Sequence, residues 1–209
     1  MPTSAAKNLA GKTVLITGAS SGIGRSCAFE FARTSPQNLK LILTARRVDR
    51  LDQIAKEITD EVGNGLKIHI VKLDVSKPDE VARLWQDLPE DFRDVNILVN
   101  NAGFMSGYER APDIPPKVIE DVWATNVTGW INMTQEFLKI AKKRDEGGRG
   151  DVVMIGSMAG REPYAGGSIY CASKAAIRSF TEALRKELIA TKIRVITVDP
   201  GQVLTVSDC

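Results

Sequence analysis

The stretch Thr13-Val-Leu-Ile-Thr-Gly-Ala-Ser-Ser-Gly-Ile-Gly24 decides the fold, because it joins a short β-branched run to a glycine-rich turn. Thr13 to Thr17 has the composition of a strand, and an apolar segment with helical spacing follows Gly24. Glycines let the backbone turn tightly and approach a pyrophosphate, and the next helix presents free N–H groups at the positive end of its dipole. The stretch therefore predicts a dinucleotide-binding loop, although such a stretch can also be no more than a turn.

The rest of the chain alternates in the same way between short β-branched runs and longer segments with helical period, which is typical of βαβ units on a parallel sheet. The predicted strands are Thr13 to Thr17, Leu39 to Ala45, Lys67 to Leu73, Val95 to Asn100, Asp151 to Ile155 and Ile193 to Val198. The predicted helices cover residues 23–34, 48–62, 79–87, 117–143 and 169–190, with Ser76 as the cap of the third. The chain has 209 residues and no internal repeat, so we expect one α/β domain over residues 1–209.

The composition argues against several classes of protein. With 28 Lys and Arg against 26 Asp and Glu the formal charge is only +2, and no basic stripe points to nucleic acid. The N-terminus has no apolar signal core, and no apolar run reaches the roughly 18 to 20 residues that span a bilayer. We therefore expect a soluble, cytoplasmic protein without nucleic-acid or membrane partners. Cys27, Cys171, Cys209 and the single His69 lack the spacing of metal ligands, so no metal site is expected.

A second informative feature is the pair Tyr170 and Lys174, with Ser157 thirteen residues upstream of the tyrosine. Residues at i and i+4 share a helix face, so an ammonium would lie within range of a phenol. A nearby positive charge favours the phenolate, and we therefore expect Lys174 to lower the pKa of Tyr170 from its reference value of roughly 10. Ser157 could hold a substrate oxygen beside the phenol. An amphipathic helix with a surface lysine and a half-buried tyrosine is the alternative interpretation.

Six motifs occur in the order and spacing of the short-chain dehydrogenase/reductase family, which the chain resembles from about residue 10 to Thr205. They are Thr17-Gly18-x-x-x-Gly22-x-Gly24, Asn100-Asn-Ala-Gly103, Asn126, Ser157, Tyr170-x-x-x-Lys174 and Pro200-Gly201. Within the family, residues 39–47, 94–103 and 167–174 look most like the NADP-dependent 3-hydroxy acid dehydrogenases that act on serine and allo-threonine. The resemblance implies a Rossmann-type, doubly wound sheet with six strands in the order 3-2-1-4-5-6 and helices on both faces.

The resemblance also implies a cofactor site. An acidic residue after the second strand would select NAD, whereas Arg46 and Arg47 suit the 2′-phosphate of NADP, unless they are merely a solvated pair. By resemblance, Asp74 would accept a hydrogen bond from the adenine amino group. The expected cofactor-binding residues are Gly18, Ser20, Ser21, Gly22, Ile23, Gly24, Arg46, Arg47, Asp74, Asn100, Ala102, Gly103, Tyr170, Lys174, Pro200, Gly201, Val203 and Thr205. Of these, the segment from Asn100 to Gly103 would line the adenine and ribose side, or form only a turn.

The expected catalytic residues are Asn126, Ser157, Tyr170 and Lys174. The resemblance implies that Tyr170 protonates the alkoxide formed when a carbonyl receives hydride from NADPH, and that Ser157 donates a hydrogen bond to the same oxygen. Lys174 would also bind the nicotinamide ribose, and Asn126 would brace a water that links Lys174 to solvent. Asn126 could instead be an amide hydrogen-bonded to backbone. Expected substrates are 3-hydroxy acids, β-hydroxy amino acids or related small alcohols and carbonyls.

Three further expectations concern the edges of the site and of the chain. Arg161 could clamp a substrate carboxylate, or could point to solvent or to a subunit contact. Relatives are expected to continue beyond Pro200-Gly201 with a substrate lid and a seventh strand. In a truncated chain, residues 195–198 would form an exposed apolar edge of the sheet. The dipeptide Val206-Ser207 is what an unspliced intron donor would encode in frame. A homodimer is expected through the helices near 117–143 and 169–190. The alternatives to an enzyme are a noncatalytic NADP-binding fragment and a structural protein without a cofactor.

Overall fold

A computed structural model describes residues 4–145 and 147–203. Its sheet has six parallel strands in the spatial order β3-β2-β1-β4-β5-β6. The strands are β1 Thr13–Thr17, β2 Lys40–Ala45, β3 Lys67–Lys72, β4 Val95–Asn100, β5 Arg149–Ile155 and β6 Lys192–Val198. The predicted fold class, strand number and strand order are therefore confirmed.

The helices follow the strands as predicted, with two differences. They are α1 Ser4–Leu9, α2 Gly22–Thr34, α3 Val48–Val62, α4 Pro78–Asp87, α5 Pro116–Trp123, α6 Trp130–Ala141 and α7 Ser168–Glu187. The short helix α1 was not predicted, because it has no buried residue and so no apolar stripe to reveal it. The helix predicted over 117–143 is divided into α5 and α6 by a π-helical segment, Ala124–Gly129.

The start of α4 corrects a detail of the sequence analysis. Lys77, not Ser76, is the N-cap residue, and no side chain caps this helix. The hydroxyl of Ser76 instead donates to Asp74 Oδ1 at 2.7 Å, and the Ser76 backbone N–H donates to the same oxygen at 3.0 Å. A short polar side chain can bond to a neighbouring carboxylate as readily as to a helix end, so the sequence pattern does not separate the two.

Burial explains where the core lies. All five residues of β1 are buried, which requires both faces of the sheet to be covered at its centre. Edge strand β3 is only half-buried, and β6 exposes Ile196 and Val198 by 38% and 46%. Within residues 4–145 and 147–203, β6 pairs with β5 alone. The carboxyl ends of β1, β4, β5 and β6 therefore meet along one edge of the sheet, where ligands bind in folds of this class.

Two kinds of feature are absent from the residues that the structure describes. Neither range contains a helix that is long and apolar enough to cross a membrane. No group of three or more His, Cys, Asp or Glu side chains in those ranges is arranged to hold a metal ion.

Candidate active site

The glycine-rich turn after β1 is shaped by contacts that leave no room for side chains. Gly18 and Gly22 have φ angles of +66° and +53°, a region that L residues with side chains rarely adopt. A Cβ atom on Gly18 would lie 2.7 Å from Ala102 Cα, and one on Gly24 would collide with Gly18 O and the Asn101 amide. Helix α2 begins at Gly22, and the side chain of its N-cap residue does not bond to the first N–H groups. The turn thus offers backbone donors and space to an anion.

Asn101 ties this turn to the end of β4. Its side-chain Nδ2 donates to Thr17 O at 2.9 Å and to Gly18 O at 3.2 Å. The Thr17 hydroxyl accepts from the backbone N–H groups of Asn101 and Ala102 at 2.9 and 3.0 Å, and donates to Val99 O. Sequence analysis missed Asn101 as a site residue, although its place just beyond a buried strand was a signal. These bonds hold the glycine turn and the β4 loop as one rigid unit.

The two arginines predicted to select NADP follow β2 directly. Both are exposed, and Arg47 Nη2 lies 3.4 Å from the hydroxyl oxygens of Ser20 and Ser21 in the glycine turn. A guanidinium and two hydroxyls beside a helix N-terminus form a group of donors suited to a phosphate. The structure therefore brings Arg47, Ser20 and Ser21 together, with Arg46 as its exposed neighbour.

The expected adenine-side residues fall into two groups. Asp74 is half-buried after β3 and accepts from Ser76, as described above, while Ala102 and Gly103 border the rigid unit. The side chain of Asn100 is different, because it is fully buried and its Nδ2 donates to Thr134 Oγ1 at 2.9 Å. Its Oδ1 has no hydrogen-bond partner. The Asn100 side chain thus serves the core, and its backbone remains the part that can face a ligand.

Ser157, Tyr170 and Lys174 meet at the carboxyl end of β5. Ser157 lies just beyond this strand, its side chain accepts from Ala159 N at 3.1 Å, and it is close enough to the Tyr170 phenol to affect the pKa of that group. Tyr170 and Lys174 occupy successive turns at the start of α7. Lys174 Nζ donates to Ile155 O at 3.0 Å, and only 5% of this lysine is exposed. The surface lysine of the alternative interpretation is therefore not what the structure shows.

The pKa of Tyr170 differs from the expected value, and the pKa of Lys174 is also shifted. Burial raises the pKa of Tyr170, and the hydrogen bond from Ser157 opposes part of this rise. The expected net fall of the Tyr170 pKa below its reference value is thus wrong, because burial dominates. Burial lowers the pKa of Lys174 to about 8, opposed by the negative field of Asp199. Desolvation disfavours the charged form of both groups, and it outweighs their neighbours.

Asn126 lies inside the π-helical segment and is completely buried. Its Oδ1 accepts from Phe104 N at 3.1 Å, and its Nδ2 donates to Phe104 O at 2.9 Å and to Ser173 Oγ at 3.2 Å. The Ser173 hydroxyl in turn donates to Tyr170 O at 2.7 Å. A chain of hydrogen bonds therefore runs from the loop after β4 through the π segment to the helix that carries Tyr170.

The segment after β6 completes the edge of the site. Pro200 O accepts from Met158 N at 3.0 Å, so this segment is held beside the turn that follows Ser157. Gly201 and Val203 are exposed, and Thr205 lies outside the described residues. Arg161 forms an ion pair with Asp199, with Nη2 at 2.7 Å from Oδ2. It is therefore engaged within its own chain.

Comparisons with known proteins agree with this geometry. Residues 12–208 match the family described as short chain dehydrogenase. The NADP-dependent 3-hydroxy acid dehydrogenase of Schizosaccharomyces pombe is 44% identical over 197 residues, which is 94% of this chain and 73% of that protein. The serine 3-dehydrogenase of Rhizobium radiobacter is 36% identical over 189 residues, with 90% of this chain and 71% of that protein covered.

A solved structure supports the same assignment. It is the closed form of a serine dehydrogenase complexed with NADP+, which superposes with a TM-score of 0.79 at 36% identity and covers 90% of this chain and 71% of that one. The family match extends over the glycine turn and the Ser157, Tyr170 and Lys174 group alike. The chain therefore belongs to the short-chain dehydrogenase/reductase family, whose members named here are oxidoreductases acting on CH–OH groups.

Proposed function

We propose that this protein transfers a hydride between NADP(H) and a 3-hydroxy acid, a β-hydroxy amino acid or a related small alcohol or carbonyl compound. The observation that carries the proposal is the placement of Ser157 beside the Tyr170 phenol, with the buried Lys174 one helical turn further on. This group lies at the carboxyl edge of the sheet, along the same edge as the glycine turn after β1.

The residues of the turn fit an NADP cofactor. Gly18 and Gly24 let the turn pack directly against the loop after β4, where a Cβ atom would collide, and the uncapped start of α2 offers N–H groups to a pyrophosphate. Arg47, with Ser20 and Ser21, would hold the 2′-phosphate. When bound, the cofactor supplies or accepts the hydride.

The proton chemistry then belongs to Tyr170. In reduction its phenol donates a proton to the developing alkoxide, while Ser157 donates a hydrogen bond to the same oxygen. Since burial raises the pKa of Tyr170, the phenol remains protonated at neutral pH, which suits an acid. Lys174 lies close enough to stabilise the phenolate left behind, and Asn126 holds the backbone around it through Ser173.

The substrate class rests on the relatives, which are named 3-hydroxy acid and serine dehydrogenases. A carboxylate clamp by Arg161 has no support, because Asp199 already holds this guanidinium. The proposal therefore covers a class of small hydroxy compounds and leaves the contacts to their carboxylate open to experiment.

Replacing Tyr170 with Phe tests the proposed chemistry. The change removes the proton donor and keeps the ring, so turnover should fall by about 10²- to 10⁴-fold while NADPH binding persists. Activity is measured with L-serine and 3-hydroxybutyrate, and binding by the NADPH-dependent shift in melting temperature. Tyr108→Phe is the matched control, because Tyr108 is 78% exposed. Near-normal turnover of the Tyr170→Phe variant would remove Tyr170 from the mechanism.

The same measurements on the unaltered chain separate the alternative functions. Stabilisation by NADPH without turnover of either substrate would indicate a noncatalytic NADP-binding protein. A melting temperature that does not respond to NADPH would contradict the cofactor site itself.

A further inference from the structure

Lys174 carries a buried ammonium with few hydrogen-bond partners. Its Nζ donates to one carbonyl oxygen, that of Ile155, although an ammonium has three donors. Burial of an ammonium strongly favours its neutral form unless other groups compensate. The neighbours that preserve its charge therefore decide whether Lys174 can stabilise a phenolate.

The face of Trp130 is one of these neighbours. Lys174 Nζ lies 4.4 Å from the centroid of the Trp130 ring, whereas the Tyr170 ring centroid is 5.7 Å away. Tryptophan has the most favourable aromatic face for a cation, and the interaction strengthens when water is excluded. Trp130 is completely buried, so water does not compete for this face.

The position of Trp130 is also held from both sides. It is the first residue of α6, directly after the π-helical segment that carries Asn126. Its indole Nε1–H donates to Ala102 O, in the loop that follows β4. The ring plane is therefore fixed by the loop on one side and by the helix on the other.

We propose that Trp130 is a positioning residue of the reaction: its ring face keeps Lys174 in the cationic form beside Tyr170, and its N–H couples that lysine to the loop at Ala102. The proposal rests on the function proposed above. It adds a contact to the active site that the six family motifs do not include.

Four other groups surround Lys174, and their charges must be considered in predicting how its pKa changes when Trp130 is replaced. The Ile155 carbonyl, at the end of β5, favours the cation directly, and Asp199, after β6, favours it through its field while Arg161 neutralises part of that field. The Tyr170 phenol is neutral below its raised pKa. Loss of the Trp130 face removes one favourable contribution, so the neutral amine should then form at lower pH.

The test is a direct titration of Lys174 in the full chain. Lysine labelled with ¹³C at Cε reports the charge by NMR, and the Lys174 signal is identified by its absence in Lys174→Arg. In Trp130→Leu we expect the pKa of Lys174 to fall by about one unit. Trp130→Phe keeps a weaker aromatic face and should show a smaller fall. Phe137→Leu is the matched control, since Phe137 is also buried in α6 and lies two turns away from Trp130.

Equal pKa values of Lys174 in Trp130→Leu and Phe137→Leu would overturn the proposal, because a purely structural role predicts that result. If Trp130→Leu does not fold, biosynthetic fluorination of tryptophan weakens the ring face without changing its shape. The pKa of Lys174 should then fall stepwise with the number of fluorine atoms, and a constant value would contradict the proposal.

Turnover gives a second readout. In Trp130→Leu, the alkaline limb of the pH profile for kcat should shift to lower pH by as much as the pKa of Lys174 falls. If the unaltered protein binds NADPH but turns over no substrate, the proposed function fails, while the NMR titration still decides the role of Trp130.

Discussion

Arg47 shows how one side chain can define a cofactor. It follows β2 and reaches towards Ser20 and Ser21. A site for NAD would need a carboxylate at this position, whereas the guanidinium present here suits the 2′-phosphate of NADP. The sequence predicts this role from the position of Arg47 directly after the second strand of a βαβ unit. The contact with both serines depends on the tertiary structure.

Replacing Arg47 with Ala should raise the KM for NADPH by about 10- to 100-fold, because a hydrogen-bonded charge contact is worth about 1.5–3 kcal/mol. The KM for NADH should stay unchanged, since NADH lacks the 2′-phosphate. Lys56→Ala removes the same charge from the exposed face of α3 and serves as the control. Equal losses with NADPH and NADH would show that Arg47 supports the loop and does not recognise the phosphate.

At the scale of elements, the π-helical segment Ala124–Gly129 is the least predictable part of the fold. Its residues have ordinary helical patterning on both sides, so the sequence indicates one continuous helix. The extra residue in the turn places Asn126 where it bonds to both backbone groups of Phe104 and to Ser173. Such segments often mark functional sites, and here the segment connects the β4 loop to α7.

Asn126→Ala should lower the free energy of unfolding by about 1–3 kcal/mol, because it leaves the Phe104 N–H and C=O without partners. Turnover should fall as well, because Ser173, whose hydroxyl donates to Tyr170 O, loses its hydrogen bond from Asn126. Urea unfolding and steady-state rates measure the two effects. Ser173→Ala removes one acceptor of the Asn126 side-chain amide and should cost less stability. A larger cost than that of Asn126→Ala would contradict this order.

At the scale of the whole molecule, α5 carries the surface that we propose for a homodimer. Ile119 and Trp123 lie one turn apart and are each 37% exposed, which is high for large apolar side chains on one helix face. Helices α5 and α7 are also packed against each other within the chain. The proposal thus combines a sequence-based prediction with an exposed apolar pair.

We expect Trp123→Asp to convert a dimer into a monomer of 22.8 kDa, because a carboxylate at an apolar interface has no partner. Light scattering coupled to size exclusion measures the mass. Tyr108→Asp introduces the same charge at a 78% exposed aromatic residue outside α5 and should leave the mass unchanged. A monomeric unaltered chain, or a dimer that survives Trp123→Asp, would rule out this surface.

The amino-acid sequence by itself determined the strand order through its resemblance to a known family, and also the glycine turn, the placement of two arginines after β2 and the grouping of Ser157, Tyr170 and Lys174. These features depend on local spacing, because strand and helix periods and glycine turns are set by neighbouring residues. Tertiary structure alone decided the bonds of Asn101 to the glycine turn, the pairing of Arg161 with Asp199 and the ring of Trp130 over Lys174. It also reversed the expected pKa of Tyr170. Contacts and burial of this kind arise between residues that are distant in the chain, so no local pattern encodes them.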